Sequence, residues 1–449
     1  VRFAARRTVT ALFVPLCALL FGATLATPVA AQPVVRKAQQ QTTGTQAPTS
    51  NSAQCQNHDR PPPPVDTSEE PKPGQPSPEP LPVPKEPVGG TRMGECGLVV
   101  PNGAKAAITG DITSASWVIA DVDTGAVLAA KDPHARERPA SLIKTLLAVV
   151  VIRELRLDEV VTGTQDDANQ EGTKVGIGPG GQYTVRQLLF ALLMRSGNDA
   201  AHALAGQLGG VPAALEKMNA LAKEIGALDT RAATPSGLDG PGMSTSAYDL
   251  SLVFRAAMKH KEFAEAIATK SLDFPGYGTK PGYKVINDNK LLGRYQGFTG
   301  GKTGFTDDAR HTYVGGAKRG NTRIAVVLLR GELNPNPLAE QASRLLDYGF
   351  ALAAEKAKPV GQLVDHAPEA QPKQDTGLGT TSSNEPQQPS SGSAPAADTA
   401  LPPDAQRSAF GNYGAPLVAL AGVAVLVTFG LWFRRKRARA ARAARTATG

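Results

Sequence analysis

Proline divides this chain into parts that can fold and parts that cannot. Of its 36 prolines 22 fall in two stretches, 32–95 and 357–414, which are also rich in Gln, Ser and Thr and poor in large apolar side chains. Such stretches bury too little apolar area to offset the entropy of ordering their backbone. They read as extended, partly polyproline spacers. Only residues 96–356, between them, combine periodic apolar runs with turn signals, so one folded domain of that extent is expected.

The two ends carry targeting signals. Arg2, Arg6 and Arg7, the apolar run 9–25 and the small residues Val29, Ala30 and Ala31 supply the three parts of a secretory signal over 1–31. An uncleaved anchor helix is the alternative. Towards the other end, residues 415–433 hold no charge. As a helix this run is ~28 Å long, enough to cross a hydrocarbon core. Arg434, Arg435, Lys436 and Arg437 follow at once, and the positive-inside tendency keeps this basic tail, 434–449, in the cytoplasm and the rest outside. Setting aside the ten basic residues of the two ends (three and seven) takes the net charge from +8 to −2. The basic balance is therefore a signal of topology, and no nucleic-acid partner is expected. Cys17 lies inside the signal. Cys55 and Cys96 remain, and an oxidising compartment allows a disulfide between them, tying the Pro-rich segment to the start of the domain.

Within the domain, residues 116–121 and 126–130 read as strands joined across Asp123-Thr124-Gly125, a hairpin signal. A helix is expected from Ser141 to about residue 155. Helical periodicity runs over 185–208 and 213–225, strands over 313–316 and 323–329, and a last helix over 337–354. Strands at both ends with helices between them predict a sheet-containing lobe and a helical insertion.

Three short clusters carry chemistry. Ser141-Leu142-Ile143-Lys144 places two functional side chains three apart on one helix face, so the lysine amine reaches the hydroxyl. A neutral lysine can take the hydroxyl proton if burial and a nearby cation lower its pKa. Alone the pattern also fits an ordinary helix start with a surface lysine. Ser196-Gly197-Asn198 follows an apolar helix pattern and sets a hydroxyl and an amide at a loop, yet Ser382-Ser383-Asn384 in the second spacer has the same form. Thr299-Gly300-Gly301-Lys302-Thr303-Gly304 brings a cation and a hydroxyl to a strand edge whose glycines permit close backbone approach, suited to a carboxylate. A phosphate-binding turn is the alternative, but the glycine spacing of a Walker loop is missing.

Their order is more specific than any one of them. Ser-x-x-Lys at a helix start, Ser-x-Asn after a helix and Lys-Thr-Gly near a late strand form the set of penicillin-binding proteins and class A β-lactamases. With Ser-Gly-Asn in the middle, the chain resembles the low-molecular-weight D-alanyl-D-alanine carboxypeptidases of the S11 peptidase family. Asp121-Val122-Asp123-Thr124-Gly125, Arg138-Pro139-Ala140-Ser141, Met218-Asn219 and the stretch 244–250 share in the resemblance, which covers roughly 116–350.

The resemblance implies an α/β fold of the β-lactamase/transpeptidase type: an antiparallel sheet flanked by helices, an all-helical lobe, and the active site between them. It implies Ser141 as nucleophile, Lys144 as general base and Ser196 as proton relay. Asn198 would hold the substrate amide, Lys302 and Thr303 the terminal carboxylate, with Gly304 on the strand edge, and the N–H groups of Ser141 and Phe305 would form the oxyanion hole. The expected partners are peptidoglycan stem pentapeptides, β-lactams and the membrane around 415–433; no cofactor or metal is expected.

Asp308, Ala309, Arg310 and His311 depart from the small residues usual after such a Lys-Thr-Gly, and read as a solvated strand end, with Arg310 or His311 on the pocket rim as the alternative. Rivals remain. A β-lactamase or penicillin sensor shares the fold, but no glutamate suits deacylation, Glu216 facing solvent on its helix. A D,D-endopeptidase would use the same residues, and an inactive wall-binding protein would not need them. A zinc peptidase is disfavoured because His134, His202 and His311 show no ligand spacing.

Overall fold

The structure, a computed structural model, describes residues 55–368. The signal over 1–31, the apolar run 415–433 and the basic tail lie outside these residues. Among the described residues no helix is long and apolar enough to cross a membrane.

The strands are β1 (Leu98–Val99), β2 (Ser116–Asp121), β3 (Ala126–Lys131), β4 (Val160–Thr162), β5 (Gln182–Thr184), β6 (Ser271–Phe274), β7 (Tyr283–Ile286), β8 (Phe298–Thr306), β9 (Arg310–Arg319), β10 (Thr322–Gly331) and β11 (Gly361–Gln362). The helices are α1 (Lys144–Glu154), α2 (Gln165–Asn169), α3 (Val185–Arg195), α4 (Asn198–Gln207), α5 (Val211–Glu224), α6 (Ala247–Ala257), α7 (Lys261–Ala268) and α8 (Leu338–Ala354). The main sheet runs β1-β3-β2-β10-β9-β8, with β11 also on β3, and every pairing is antiparallel. The predicted hairpin is β2–β3, turning through Asp123-Thr124-Gly125, where Asp121 Oδ1 accepts from the N–H groups of Asp123 and Thr124.

The apolar run 324–329 is buried on both faces because β10 lies centrally between β2 and β9. One face is covered by α8, whose Leu338, Ala342, Leu345, Leu346 and Leu352 recur at helical spacing. Gly349 lets it settle closely, since a Cβ there would stand 2.7 Å from Ile119 Cγ2. The other face carries α6. Helix α1 is buried from Lys144 to Val151 and forms the centre of the helical lobe, against α3, α4, α5, α6 and α7. The fold expected from the resemblance is the fold observed.

Three expectations need correction. The second spacer does not begin at 357, since Gly361–Gln362 pair with β3 and Val360 and Leu363 are buried; its remainder, 369–414, lies outside the described residues. The single period over 185–208 is two helices, because Ser196 adopts a left-handed conformation (φ 64°) that ends α3 before α4 begins. The apolar spacing simply continues across the break. The extended spacer expected over 32–95 is, from Cys55 onwards, laid against the domain. Residues 55–88 form no helix or strand, but the buried Arg136 takes up three of their backbone carbonyls, and Cys55 is bonded to Cys96. Proline-rich backbone has few N–H groups to satisfy and many free acceptors, so it can be held without burying much apolar surface.

Candidate active site

Ser141 stands at the start of a 3₁₀ turn, Ala140–Ile143, that leads into α1. The residue before it, Ala140, is fully buried and left-handed (φ 46°). That conformation costs a non-glycine residue about 1–3 kcal/mol and persists only where the surroundings enforce it. Here Thr312 Oγ1 on β9 donates to Pro139 O at 3.0 Å. Gly237 packs against the same peptide, and a Cβ on it would come within 2.0 Å of Ala140 O. Gly304 of β8 closes the other side, where a Cβ would meet Thr312 Oγ1 at 2.4 Å and Ser141 N at 2.9 Å. The glycine of Lys-Thr-Gly is needed for this approach of strand to turn.

Lys144 is wholly buried. Its Nζ lies 2.9 Å from Ser141 Oγ and 2.8 Å from Asn198 Oδ1, and it donates also to Ser236 O. Burial, and then the charge of Lys302, hold its pKa well below the usual lysine value, against the opposing pull of Asp199. A neutral amine has two hydrogens and one lone pair. Two carbonyl oxygens take the hydrogens, which leaves the lone pair facing the serine hydroxyl.

Lys302, also buried, donates to Ser196 Oγ at 2.9 Å and to Thr303 O at 2.5 Å. Burial lowers its pKa to about 8, with Asp288 opposing. Thr303 Oγ1 is 3.3 Å from Asp288 Oδ1. The two lysine clusters meet at the junction of α3 and α4, whose left-handed break sets Ser196 and Asn198 toward the cleft. Ser141, Lys144, Ser196, Asn198, Lys302, Thr303 and Gly304 are thus brought together. The Phe305 side chain is 48% exposed, with the His311 ring 4.5 Å from it. Arg310 pairs with Glu332 at the start of β9. His311 is therefore less a free strand end than a neighbour of the cleft.

Asn198 is also tied into the protein. Its Oδ1 accepts from Lys144 and its Nδ2 donates to Glu171 O at 2.7 Å, so both ends of the amide hold the protein together. Three contributors went unread in the sequence. The Ser236 carbonyl and Gly237 act through backbone, for which a Pro-Ser-Gly turn is a faint signal. Asp199 is fully buried and accepts from Val175 N and Ile177 N, which fixes the loop beside Asn198. His134 and His202 are not isolated either, being bonded to Asp229 and Asp167. Glu216 is exposed, as expected.

A buried amine against a serine hydroxyl, a second buried cation beside another hydroxyl, and an open strand edge suit acyl transfer to a serine from a substrate ending in carboxylate. Known proteins agree. The profile of the peptidase S11 family, described as D-alanyl-D-alanine carboxypeptidase, matches residues 102–332. The D-alanyl-D-alanine carboxypeptidase DacB2 of Mycobacterium tuberculosis is 46% identical over 241 residues, which are 53% of this chain and 82% of that protein. DacF of Bacillus subtilis, a D-alanyl-D-alanine carboxypeptidase, is 30% identical over 242 residues, 53% of this chain and 62% of that one. A crystal structure of a D-alanyl-D-alanine carboxypeptidase from M. tuberculosis matches with TM-score 0.56 and 43% identity, covering 59% of this chain and all of that one. A variant of the Streptomyces K15 DD-transpeptidase matches with TM-score 0.52 and 28% identity, covering 54% of this chain and all of that one. The chain belongs to the S11 peptidase family of D-alanyl-D-alanine carboxypeptidases.

Proposed function

We propose that this chain removes the terminal D-alanine from peptidoglycan stem pentapeptides through an acyl-serine intermediate on Ser141. The observation that carries the reading is the Lys144 amine, buried, held below its usual pKa and 2.9 Å from Ser141 Oγ. Ser141 Oγ attacks the carbonyl carbon of the penultimate D-alanine and gives its proton to Lys144. The N–H groups of Ser141 and Phe305 hold the oxyanion. The C–N bond then breaks, and the departing amine takes a proton by way of Ser196. Water attacks the ester, Lys144 accepts its proton, and Ser141 is restored. Lys302 and Thr303 bind the terminal carboxylate. Asn198 serves first to aim Lys144.

Removal of the terminal residue deprives cross-linking of its donor, so the activity limits cross-linking during wall synthesis. Such a substrate lies outside the cytoplasm. The signal pattern over 1–31, the uncharged run 415–433 with its basic tail, and the bond between Cys55 and Cys96 support export and anchoring by a single C-terminal helix.

The test mixes wild type and Ser141→Ala with a fluorescent penicillin and, separately, with a peptide ending in D-Ala-D-Ala. Covalent labelling and D-alanine release, both lost in the variant, are expected. Labelling without release points to a sensor or an endopeptidase. A folded wild type giving neither signal defeats the reading and leaves wall binding.

A further inference from the structure

Residues 55–88 meet the domain at several places, among them the Cys55–Cys96 bond and Arg231, whose Nη2 donates to Glu79 O at 2.8 Å, and two of the places are the approaches to the two oxyanion donors. The first is the run 133–140 that delivers Ser141. Arg136 N donates to Asn57 O at 2.7 Å. Its guanidinium, fully buried, donates from Nη1 to Asp59 O and Leu81 O, both at 2.6 Å, and from Nη2 to Pro82 O at 3.0 Å. Two residues on, Arg138 is 2% exposed and grips Glu69 with both prongs of its fork, Nη2 lying 2.7 Å from Oε2. The second place is the turn after β8. There Asp308 Oδ1 accepts from Val65 N at 2.5 Å, and Oδ2 from Ser68 Oγ at 3.5 Å.

Five residues, 65–69, therefore bridge Asp308 to Arg138. Arg138 lies three residues before Ser141, and Asp308 three residues after Phe305. Between Arg138 and Ser141 the chain passes through the left-handed Ala140, a conformation that needs external restraint. A buried two-pronged arginine–carboxylate pair is directional enough to supply it.

We infer that residues 65–69 form a staple that fixes the spacing of the Ser141 and Phe305 N–H groups, making Glu69, Arg138 and Asp308 positioning residues for acyl transfer. This rests on the acyl-serine reading above. The segment is then part of the catalytic unit, not a spacer leading to it. Because oxyanion donors act on the tetrahedral state more than on bound substrate, loosening the staple lowers kcat and the acylation rate and spares KM.

The experiment uses the full chain, as wild type, Glu69→Gln, Val65→Pro, the double variant and Arg138→Lys. It measures acylation by a fluorescent penicillin, kcat and KM on a D-Ala-D-Ala peptide, and Tm. Val65→Pro removes one N–H donor from a residue whose side chain is 69% exposed and whose φ is negative, next to a run of prolines. Losing one whole oxyanion donor costs roughly 10²–10³ in kcat, so a shifted pair should cost about tenfold. Glu69→Gln is expected to lower kcat and acylation together by that factor with KM within about twofold, and Val65→Pro to do so more weakly. Arg138→Lys, which keeps the charge and loses the fork, should fall between wild type and Glu69→Gln. Unchanged kcat with a lowered Tm overturns the staple and leaves simple packing; a raised KM at unchanged kcat overturns it too. If Glu69→Gln does not fold, Val65→Pro decides alone. A wild type that neither acylates nor releases D-alanine strikes the acyl-serine reading itself.

Discussion

The amine of Lys302 stands 2.9 Å from the hydroxyl of Ser196, and no carboxylate among the described residues forms an ion pair with it. Its charge is therefore available to a substrate carboxylate, and it also weighs on Lys144, whose pKa it helps to lower. On the function proposed above, one buried cation both receives the substrate carboxylate and helps to lower the pKa of the base.

The pH profile should show both effects. Below the lowered pKa of Lys144 the amine is protonated and cannot accept from Ser141, so acylation falls on the acid side. Above about 8, Lys302 loses its charge and peptide KM should rise. Lys302→Gln removes the repulsion that favours neutral Lys144, so its acid limb should move to higher pH. Acylation rates across pH for wild type and this variant check the coupling; an unmoved acid limb would sink it.

Asn198→Asp tests the aim of the lysine. A carboxylate in place of the amide, 2.8 Å from Nζ, favours the ammonium form. Acylation at neutral pH is expected to fall about 10²-fold, the low end of the range for a general base, and to recover in part as pH rises. Asn198→Ala removes one acceptor without adding charge and should lose rate with no such recovery. Equal profiles for the two variants would count against a neutral Lys144.

Gly237→Ala probes the strained turn. Its Cβ would lie 2.0 Å from Ala140 O, at a φ of +83° that alanine adopts poorly. The variant is expected to lose about 2–4 kcal/mol of stability, the range for forced backbone strain and overpacking. Among molecules that still fold, acylation should drop at least tenfold, because Ala140 moves with the Ser141 N–H. Denaturant midpoints and labelling rates measure the two losses separately.

The side chains of this site were legible where chemistry needs a residue type at a fixed spacing. Ser141 and Lys144 are three apart on a helical turn, and Lys302-Thr303-Gly304 lies on a strand whose glycine admits Ser141 N. The sheet was legible for a similar reason, since a short run such as 324–329, with Ile324, Val326 and Val327, fits a strand buried on both faces. What escaped was held by backbone. The Ser236 carbonyl is marked only by the faint signal of a Pro-Ser-Gly turn, and the break at Ser196 lies between two apolar runs that keep one period. The segment 55–88 looked unfoldable because apolar composition counts side chains, while Arg136 grips it by three carbonyls. An arginine in a charged run reads as surface until its partners are known.

His134 gives a last, thermodynamic check on that segment. Its Nδ1 is 2.7 Å from Asp229 Oδ2 and its Nε2 is 2.9 Å from Val88 O. Both partners only accept, so the ring donates from both nitrogens and carries both protons. Burial opposes the charge, but the bond to Asp229 outweighs it and the pKa is raised. A histidine whose folded pKa lies above the unfolded value of about 6.5 stabilises fully below that value and loses the contribution as pH rises through the folded pKa. Asp229, held low by the same pair, loses its own share only in acid, as pH falls through its folded pKa. The stability difference between wild type and His134→Gln should therefore be greatest on the mildly acid side of neutrality, about 1.5–3 kcal/mol for buried charge-assisted bonds. It should shrink as pH rises. Contributions from Lys144 and Lys302 are common to both proteins and cancel in that difference. Denaturant titrations at several pH values would measure it, and a difference that grows with pH would mean the ring is neutral in the fold.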